Sequence, residues 1–122
     1  MEVEREVEAR IFPGKTDPHA DQLGTFLEHL SVPHPTALAS NGAPLRALKL
    51  GSCWGGWDCN NPSYLAPAHF RAFKAFTLRY GATFGVPNAT LRGEAEQWDA
   101  LIQTSYAMLD DAQCDATGLT PN

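Results

Sequence analysis

The uneven spacing of helix-breaking residues constrains this chain more than any other feature of its sequence. Prolines and glycines cluster at Pro13-Gly14, within residues 31–44 and within residues 81–92. Proline removes a backbone donor and glycine leaves the backbone unrestricted, so these stretches are predicted to be loops. At 122 residues the chain has room for one ordinary domain. Any helix must therefore lie between these breakers.

Apolar residues repeat at helical spacing in the stretches that the breakers leave. The predicted helices cover residues 1–11, about 18–30, about 67–80 and about 93–112. Gly81 is predicted to end the third helix as a C-cap. The apolar stripes of the last two helices are predicted to lie in the core, including Phe70, Phe73, Phe76 or Thr77, Tyr80 and Trp98. No run alternates as a strand would, which predicts an all-α class with long loops.

Composition narrows the classes of partner. The formal net charge is -5 and the basic residues are scattered, so no footprint for a nucleic-acid backbone exists. No apolar run approaches the ~18 residues needed to cross a bilayer. The first residues, Met1-Glu2-Val3-Glu4-Arg5-Glu6, include three glutamates, unlike the basic and then apolar pattern of a secretion signal. We therefore expect neither nucleic acid nor membrane as a partner.

The cysteines and histidines give no metal-ligand spacing. Cys53, Cys59 and Cys114 are too few for a disulfide scaffold. A bridge between Cys53 and Cys59 would indicate an oxidising compartment, and without it both are ordinary small residues. The four histidines fit no zinc pattern with one another or with the cysteines. Fingerprints for phosphate, dinucleotide or a serine nucleophile are also missing, so no metal or cofactor is predicted.

Two tryptophans, Trp54 and Trp57, lie in a glycine-rich segment near mid-chain. Glycine removes neighbouring side chains, and an indole face left open in this way suits the C–H face of a sugar ring. The alternative is that both indoles fill the core beneath a loop. The sequence leaves these two interpretations open.

A polar motif, Asn61-Pro62-Ser63-Tyr64, follows the tryptophans and precedes a helix that Pro67 can begin. It offers an amide, a hydroxyl and a phenol to a ligand. The alternative, favoured from the motif alone, is a helix-entry turn in which Asn61 or Ser63 caps backbone donors. Hydrolysis of a glycoside needs two carboxyl groups, yet Asp58 is the single carboxylate near this motif. The acidic residues of the last helix, among them Glu94 and Asp111, are predicted to lie on solvated faces or to interact with the helix dipole.

These same residues carry a resemblance to a known family. Trp54-Gly55-Gly56, the stretch 61–73, Trp98 and the helical residues 105–109 resemble glycoside hydrolase family 8, whose members cleave β-1,4-glucans, xylans or chitosan. Residues 117–122 are similar to the Gly-Leu-x-Pro stretch of that family. The resemblance covers residues 48–122, whereas residues 1–47 match poorly.

The resemblance implies a sector of an (α/α)6 toroid. Twelve helices of roughly 11 residues already require about 130 residues before any connection, so this chain can hold only part of such a domain. Family members invert the anomeric configuration with a glutamic acid as donor and an aspartate as base. Both are expected beyond the ends of this chain, so no catalytic residue is assigned. Asp115 precedes the position of the base motif and is not taken as the base.

By position, Trp54 resembles the tryptophan that stacks on a glucosyl unit, and Tyr64 resembles the tyrosine beside the base and the attacking water. Asn61 and Ser63 are expected to shape the same substrate-binding loop. The resemblance therefore implies a fragment of an inverting endo-β-1,4-glucanase, inactive alone, that binds a β-linked polysaccharide. It also implies an extracellular or periplasmic location. The alternative is a non-catalytic carbohydrate- or partner-binding helical module, and exposed apolar helix faces could drive self-association under either interpretation.

Overall fold

The computed structural model describes residues 23–51 and 53–118. Three helices, one hairpin and a 3₁₀ turn follow one another in the described chain. In order they are α1 (Leu23–Leu30), β1 (Ser31–Leu38), β2 (Pro44–Leu48), the turn Pro62–Tyr64, α2 (Pro67–Thr83) and α3 (Asn88–Ala112). The helix predicted over residues 1–11 lies outside the described residues. So does the start of the helix predicted from residue 18.

Helix α1 ends at Leu30, as the sequence predicts, and the chain continues directly into a strand. The Ser31 hydroxyl donates a hydrogen bond of 2.7 Å to the Leu27 carbonyl, one of the groups that a helix end leaves without a partner. Leu27 itself is fully buried. The last turn of α1 is therefore fixed by both a hydrogen bond and the core.

The prediction that residues 31–44 form a loop is wrong, because β1 covers Ser31–Leu38. The all-α class is confirmed only in part, because a two-stranded sheet accompanies the helices of the described chain. Strands β1 and β2 pair antiparallel, and the register is irregular between Pro33 and Leu38. Each strand of a two-stranded sheet is an edge strand, where proline's missing N–H need not break a ladder bond. Pro35 falls within the irregular stretch. The prolines are therefore compatible with this hairpin, and the described fold is helix-rich with a small sheet.

A tight turn at Asn41-Gly42 connects the two strands. Gly42 has a φ of 89°, which favours glycine, and its N–H donates to the Ala39 carbonyl at 3.0 Å. Asn41 accepts a hydrogen bond from the Ala43 N–H and donates another to the Glu96 carbonyl of α3. Asn-Gly between two apolar segments is a strong hairpin signal. The turn thus also anchors the hairpin to α3.

Gly81 does not end helix α2, which continues to Thr83. Gly81 is buried where α2 meets α3, and a side chain there would collide with Leu91. The positive φ of 76° belongs to Gly85. The Gly85 N–H donates to Ala82 and the Val86 N–H donates to Gly81, the bonding pattern of a Schellman cap. The C-cap glycine is therefore Gly85.

Helix α3 begins at Asn88, earlier than predicted, and ends at Ala112 as predicted. The connection from α2 to α3 is consequently short, and the two helices pack side by side. Lys74 forms an ion pair of 2.8 Å with Asp99 across them. The Arg71 guanidinium hydrogen-bonds the Tyr106 hydroxyl and lies over the Tyr106 ring. None of the described helices is long and apolar enough to span a membrane.

The core lies between α3, the hairpin and the start of α2. Its buried apolar residues are Leu27, Leu48, Leu65, Phe70, Trp98, Leu101 and Ile102. The predicted burial of Phe70, Tyr80 and Trp98 is thus confirmed. Phe73 is 43% exposed, so its predicted place in the core is wrong. Of the alternatives Phe76 and Thr77, Thr77 is buried and Phe76 is 58% exposed. The described unit is too small to cover the whole apolar side of α2.

Candidate functional site

The glycine-rich segment folds back on itself directly after β2. The N–H groups of Leu50 and Gly51 both donate to the Trp54 carbonyl at 3.2 Å. Gly55 has a φ of 88°, and a side chain there would approach the Leu50 nitrogen to 2.6 Å. Glycine is therefore required at position 55, both for its conformation and for its lack of a side chain.

Trp54 is presented to solvent by this segment. Its side chain is 59% exposed, which is unusual for so large an apolar group. The indole lies against the backbone of Gly51, where any Cβ would collide with the ring. The ring thus packs against the backbone of Gly51, and much of the rest of its surface is exposed to solvent.

Trp57 is placed differently from Trp54, although both lie in the same segment. It is half-buried, and its Nε1–H donates to the Val32 carbonyl of β1 at 3.0 Å. Its ring meets the edge of the His34 ring, with 4.8 Å between the ring centroids. The packing interpretation therefore applies to Trp57, whereas sugar binding by Trp54 stays a prediction. Trp57 packs against the hairpin and Trp54 is open.

The polar motif forms the 3₁₀ turn that precedes α2. The Asn61 Oδ1 accepts hydrogen bonds from the Ser63 N–H at 3.0 Å and from the Ser63 hydroxyl at 2.8 Å. Asn61 is thus the N-cap of the turn, which is the structural alternative noted from the sequence. Tyr64 is 56% exposed, whereas the following Leu65 is buried in the core. Anchoring of Leu65 holds the Tyr64 phenol outward.

The structure brings together some of the predicted site residues and separates others. Asn61 and Ser63 bond to each other, while Trp54 and Tyr64 are exposed aromatic groups on neighbouring segments. Their rings do not contact each other in the part of the chain that the structure describes. Asp58 is exposed. Trp54 and Tyr64 offer exposed aromatic surfaces suited to binding, and Asp58 is the single carboxylate within the described residues 53–64, whereas glycoside hydrolysis needs two.

Glu94 is a buried carboxyl group that the sequence interpretation missed. Predicted to be solvated, it is only 5% exposed, because α3 begins earlier than expected and places it on the inner face of the helix. Its Oε2 finds no hydrogen-bond partner among the described residues. The signal was available in the sequence, since Glu94 lies between Leu91 and Trp98 at the same three- and four-residue spacing.

Burial raises the pKa of Glu94, and the negative charge of Glu28 raises it further, while Arg46 acts in the opposite direction. Arg46 of β2 is also buried, and desolvation lowers its pKa despite the nearby Glu28 and Glu94. The guanidinium donates to the Ser31 hydroxyl at 2.7 Å. Charged groups at such sites are costly unless fully paired. Burial therefore disfavours the charged form of Glu94 within this cluster, which joins α1, the hairpin and α3.

The described cysteines form no disulfide. Cys53, Cys59 and Cys114 are all exposed. The pKa of the Cys114 thiol is lowered by a hydrogen bond to the Thr117 side chain, and further by the backbone of Ala116 and Thr117. Within residues 23–51 and 53–118, no cluster of histidine, cysteine or acidic side chains is arranged to hold a metal ion.

Comparison with curated proteins finds similarity to two endoglucanases. Endoglucanase 2 of Ruminiclostridium josui is 36% identical over 75 residues. Endoglucanase C of Ruminiclostridium cellulolyticum is 33% identical over 75 residues. Each match covers 62% of this chain and 13% of the relative, so the match spans about one eighth of their length. No protein-family model and no solved structure matches the chain.

Proposed function

We propose that this chain contributes one wall of a polysaccharide-binding cleft in a hydrolase of β-1,4-linked glucan, of the kind grouped in glycoside hydrolase family 8. The supporting observation is the Trp54 indole, 59% exposed and supported on one face by Gly51, in a chain partly similar to two endoglucanases. In this proposal residues 48–122 form the family-like segment, within a sector of a larger helical toroid. Residues 1–47 form a more divergent part.

The proposed recognition divides a sugar ring into its two chemical surfaces. The axial C–H groups of a β-linked glucosyl unit pack on the open face of Trp54, and the hydroxyls at its rim face polar groups. Tyr64 supplies a phenol that both donates and accepts hydrogen bonds. Asn61 and Ser63 bond to each other, so their proposed part is to fix the turn that carries Tyr64.

Binding to the Trp54 face is tested by truncating the indole. Trp54→Ala is expected to weaken affinity for cello-oligosaccharides by about 1–3 kcal/mol, the usual cost of removing an aromatic anchor. The measurement is isothermal titration calorimetry with cellohexaose. Leu38→Ala is the matched control, because Leu38 is 61% exposed but lies on the hairpin outside the aromatic segment. Equal affinities for the two variants would contradict the proposal.

The same proposal predicts that the 122-residue chain does not hydrolyse polysaccharide by itself. The donor glutamic acid and the base aspartate of an inverting mechanism are proposed to lie on segments outside this chain. The assay follows the release of reducing ends from carboxymethylcellulose and soluble xylan by the purified chain. Hydrolysis that co-purifies with the chain and is lost in Trp54→Ala would show that the chain holds its own acid and base. Binding without hydrolysis is expected.

The proposed partners are a β-linked polysaccharide at the Trp54 face and a second copy of the chain at the exposed side of α2. Phe73 and Phe76 support the latter, because both are apolar and largely open to water. Nucleic acid is not proposed, given the net charge of -5. A location outside the cytoplasm is proposed from the resemblance alone.

A further inference from the structure

The described chain has a cavity that neither Trp54 nor Tyr64 lines. It has a volume of about 260 Å³ and opens between β2 and the second half of α3. Ligand binding in this cavity is therefore independent of ligand binding at the Trp54 face.

One side of the cavity is apolar and fixed. Trp57, Leu45 and Met108 form it. The Trp57 ring cannot turn away freely, because its Nε1–H is bonded to the Val32 carbonyl and its plane is met edge-on by His34. Since that bond satisfies the indole's only donor, Trp57 offers the cavity only aromatic surface.

The other side carries polar groups whose remaining hydrogen-bonding capacity is defined. The Gln103 Oε1 accepts from the Ser40 N–H at 3.0 Å, which leaves the Nε2 group to donate. The Thr104 hydroxyl donates to the Ala100 carbonyl at 3.0 Å, which leaves its oxygen to accept. Asp111 adds an exposed carboxylate acceptor. The cavity therefore presents one donor group and two acceptors opposite an aromatic wall.

We propose that this cavity binds a single pyranose ring, as a carbohydrate site separate from the Trp54 face. A pyranose has one C–H face for Trp57 and hydroxyls that both donate, to Thr104 and Asp111, and accept, from Gln103. Ligands of drug size occupy pockets of roughly 300–1,000 Å³, so this smaller cavity suits one ring. A purely apolar ligand would contact only the aromatic side of the cavity, and an anion would be repelled by the Asp111 carboxylate.

The test uses the full 122-residue chain labelled with ¹⁵N and titrated with methyl β-D-glucopyranoside and with cellobiose. Binding is expected to shift the Trp57 indole N–H and the Gln103 side-chain amide signals saturably. These shifts are expected to persist in Trp54→Ala, which separates this site from the Trp54 face. If only the proposal for the Trp54 face fails, Trp54→Ala leaves the affinity for cello-oligosaccharides unchanged while the Trp57 signal still shifts. If only the cavity proposal fails, the Trp57 signal does not shift while Trp54→Ala still weakens that affinity.

Two variants examine the cavity itself. Ala107→Phe places a ring in the cavity from an exposed helical position and is expected to abolish the shifts. Asp111→Asn is expected to weaken binding about 3- to 10-fold through loss of a charged acceptor. Asp110→Asn, which removes a neighbouring charge that does not line the cavity, is the matched control. No shift at Trp57 or Gln103, or equal affinity in Ala107→Phe, would overturn the proposal.

Discussion

Residues of the same type differ in this chain in how far their side chains are buried. Glu94 and Asp58 are both acidic, yet one is enclosed between α3 and the hairpin and the other is exposed. Trp54 and Trp57 are three positions apart and differ in the same way. At this scale residue type and local spacing indicate what a side chain can do, and the neighbouring elements determine what it does.

Stability is predicted to depend on pH through Glu94. Its pKa is raised in the folded state, mainly by burial, so folding favours the protonated form. The stability that this group contributes is present below the carboxyl's ordinary value, about 4.3, and is lost as pH rises through the folded-state pKa. Glu94→Gln is therefore expected to match the parent near pH 4 and to melt at a higher temperature near neutral pH.

Thermal unfolding followed by circular dichroism from about pH 4 to about pH 8 measures this difference. Glu96→Gln is the control, because it removes a carboxylate from the same helix without removing the buried one. A lower melting temperature for Glu94→Gln at neutral pH would contradict the prediction. It would mean that attraction to Arg46 outweighs the cost of burying the charge.

At the scale of elements, glycines decide where helices end and how closely they approach. Gly85 ends α2 with a positive φ, whereas Gly81 lets α3 come close enough for Leu91 to occupy the space of a missing side chain. Gly93 has neither role, since nothing lies within 4 Å of its missing Cβ. Glycine thus serves two different purposes near the end of α2 and neither of them within α3.

This difference predicts opposite effects of the same substitution. Gly93→Ala is expected to stabilise the protein by about 0.5–1 kcal/mol, because alanine reduces the backbone freedom of the unfolded chain. Gly81→Ala is expected to destabilise it by roughly 1–3 kcal/mol, because the added methyl overpacks the contact with Leu91. Urea unfolding of both variants measures the two free energies. Stabilisation by Gly81→Ala would show that α2 and α3 can separate at no cost.

At the scale of the whole molecule, part of the apolar surface of the described helices is exposed to water. Phe76 is 58% exposed and Phe73 is 43% exposed on α2, and Tyr106 is 47% exposed on α3. The buried core is concentrated on the opposite side of α3, where the hairpin and α1 pack. The described fold therefore has one well-packed side and one side at which further apolar contact would be favourable.

Self-association is predicted to weaken when this surface is made polar. Phe76→Gln is expected to shift the chain toward the monomer in sedimentation equilibrium, because it removes exposed apolar area without opening the core. Leu38→Gln is the control, since Leu38 is equally exposed but lies on the hairpin. If both variants associate as the parent does, the α2 face is not the contact between copies.

Most helix ends in the described chain could be predicted from the sequence, because apolar spacing and proline positions act on neighbouring residues. The sequence indicated the end of α1, the start of α2, the end of α3 and the burial of Trp98. Asn41-Gly42 is also a local signal, but the surrounding prolines concealed the hairpin from a sequence interpretation. The identity of Asn61 as a cap was one of two readings that the motif allowed.

Which apolar and charged side chains are buried depends on how the helices and the hairpin pack together. Phe73 and Phe76 were predicted to share a buried helical stripe with Phe70 and Tyr80, yet only Phe70 and Tyr80 are buried. Glu94 has the spacing of the apolar face of α3, and the packing of β2 and α1 against that helix is what encloses it. Burial depends on elements that are distant in sequence, whereas helix formation depends on neighbours within a turn or two. That difference in range is why the elements were predictable and their exposed surfaces were not.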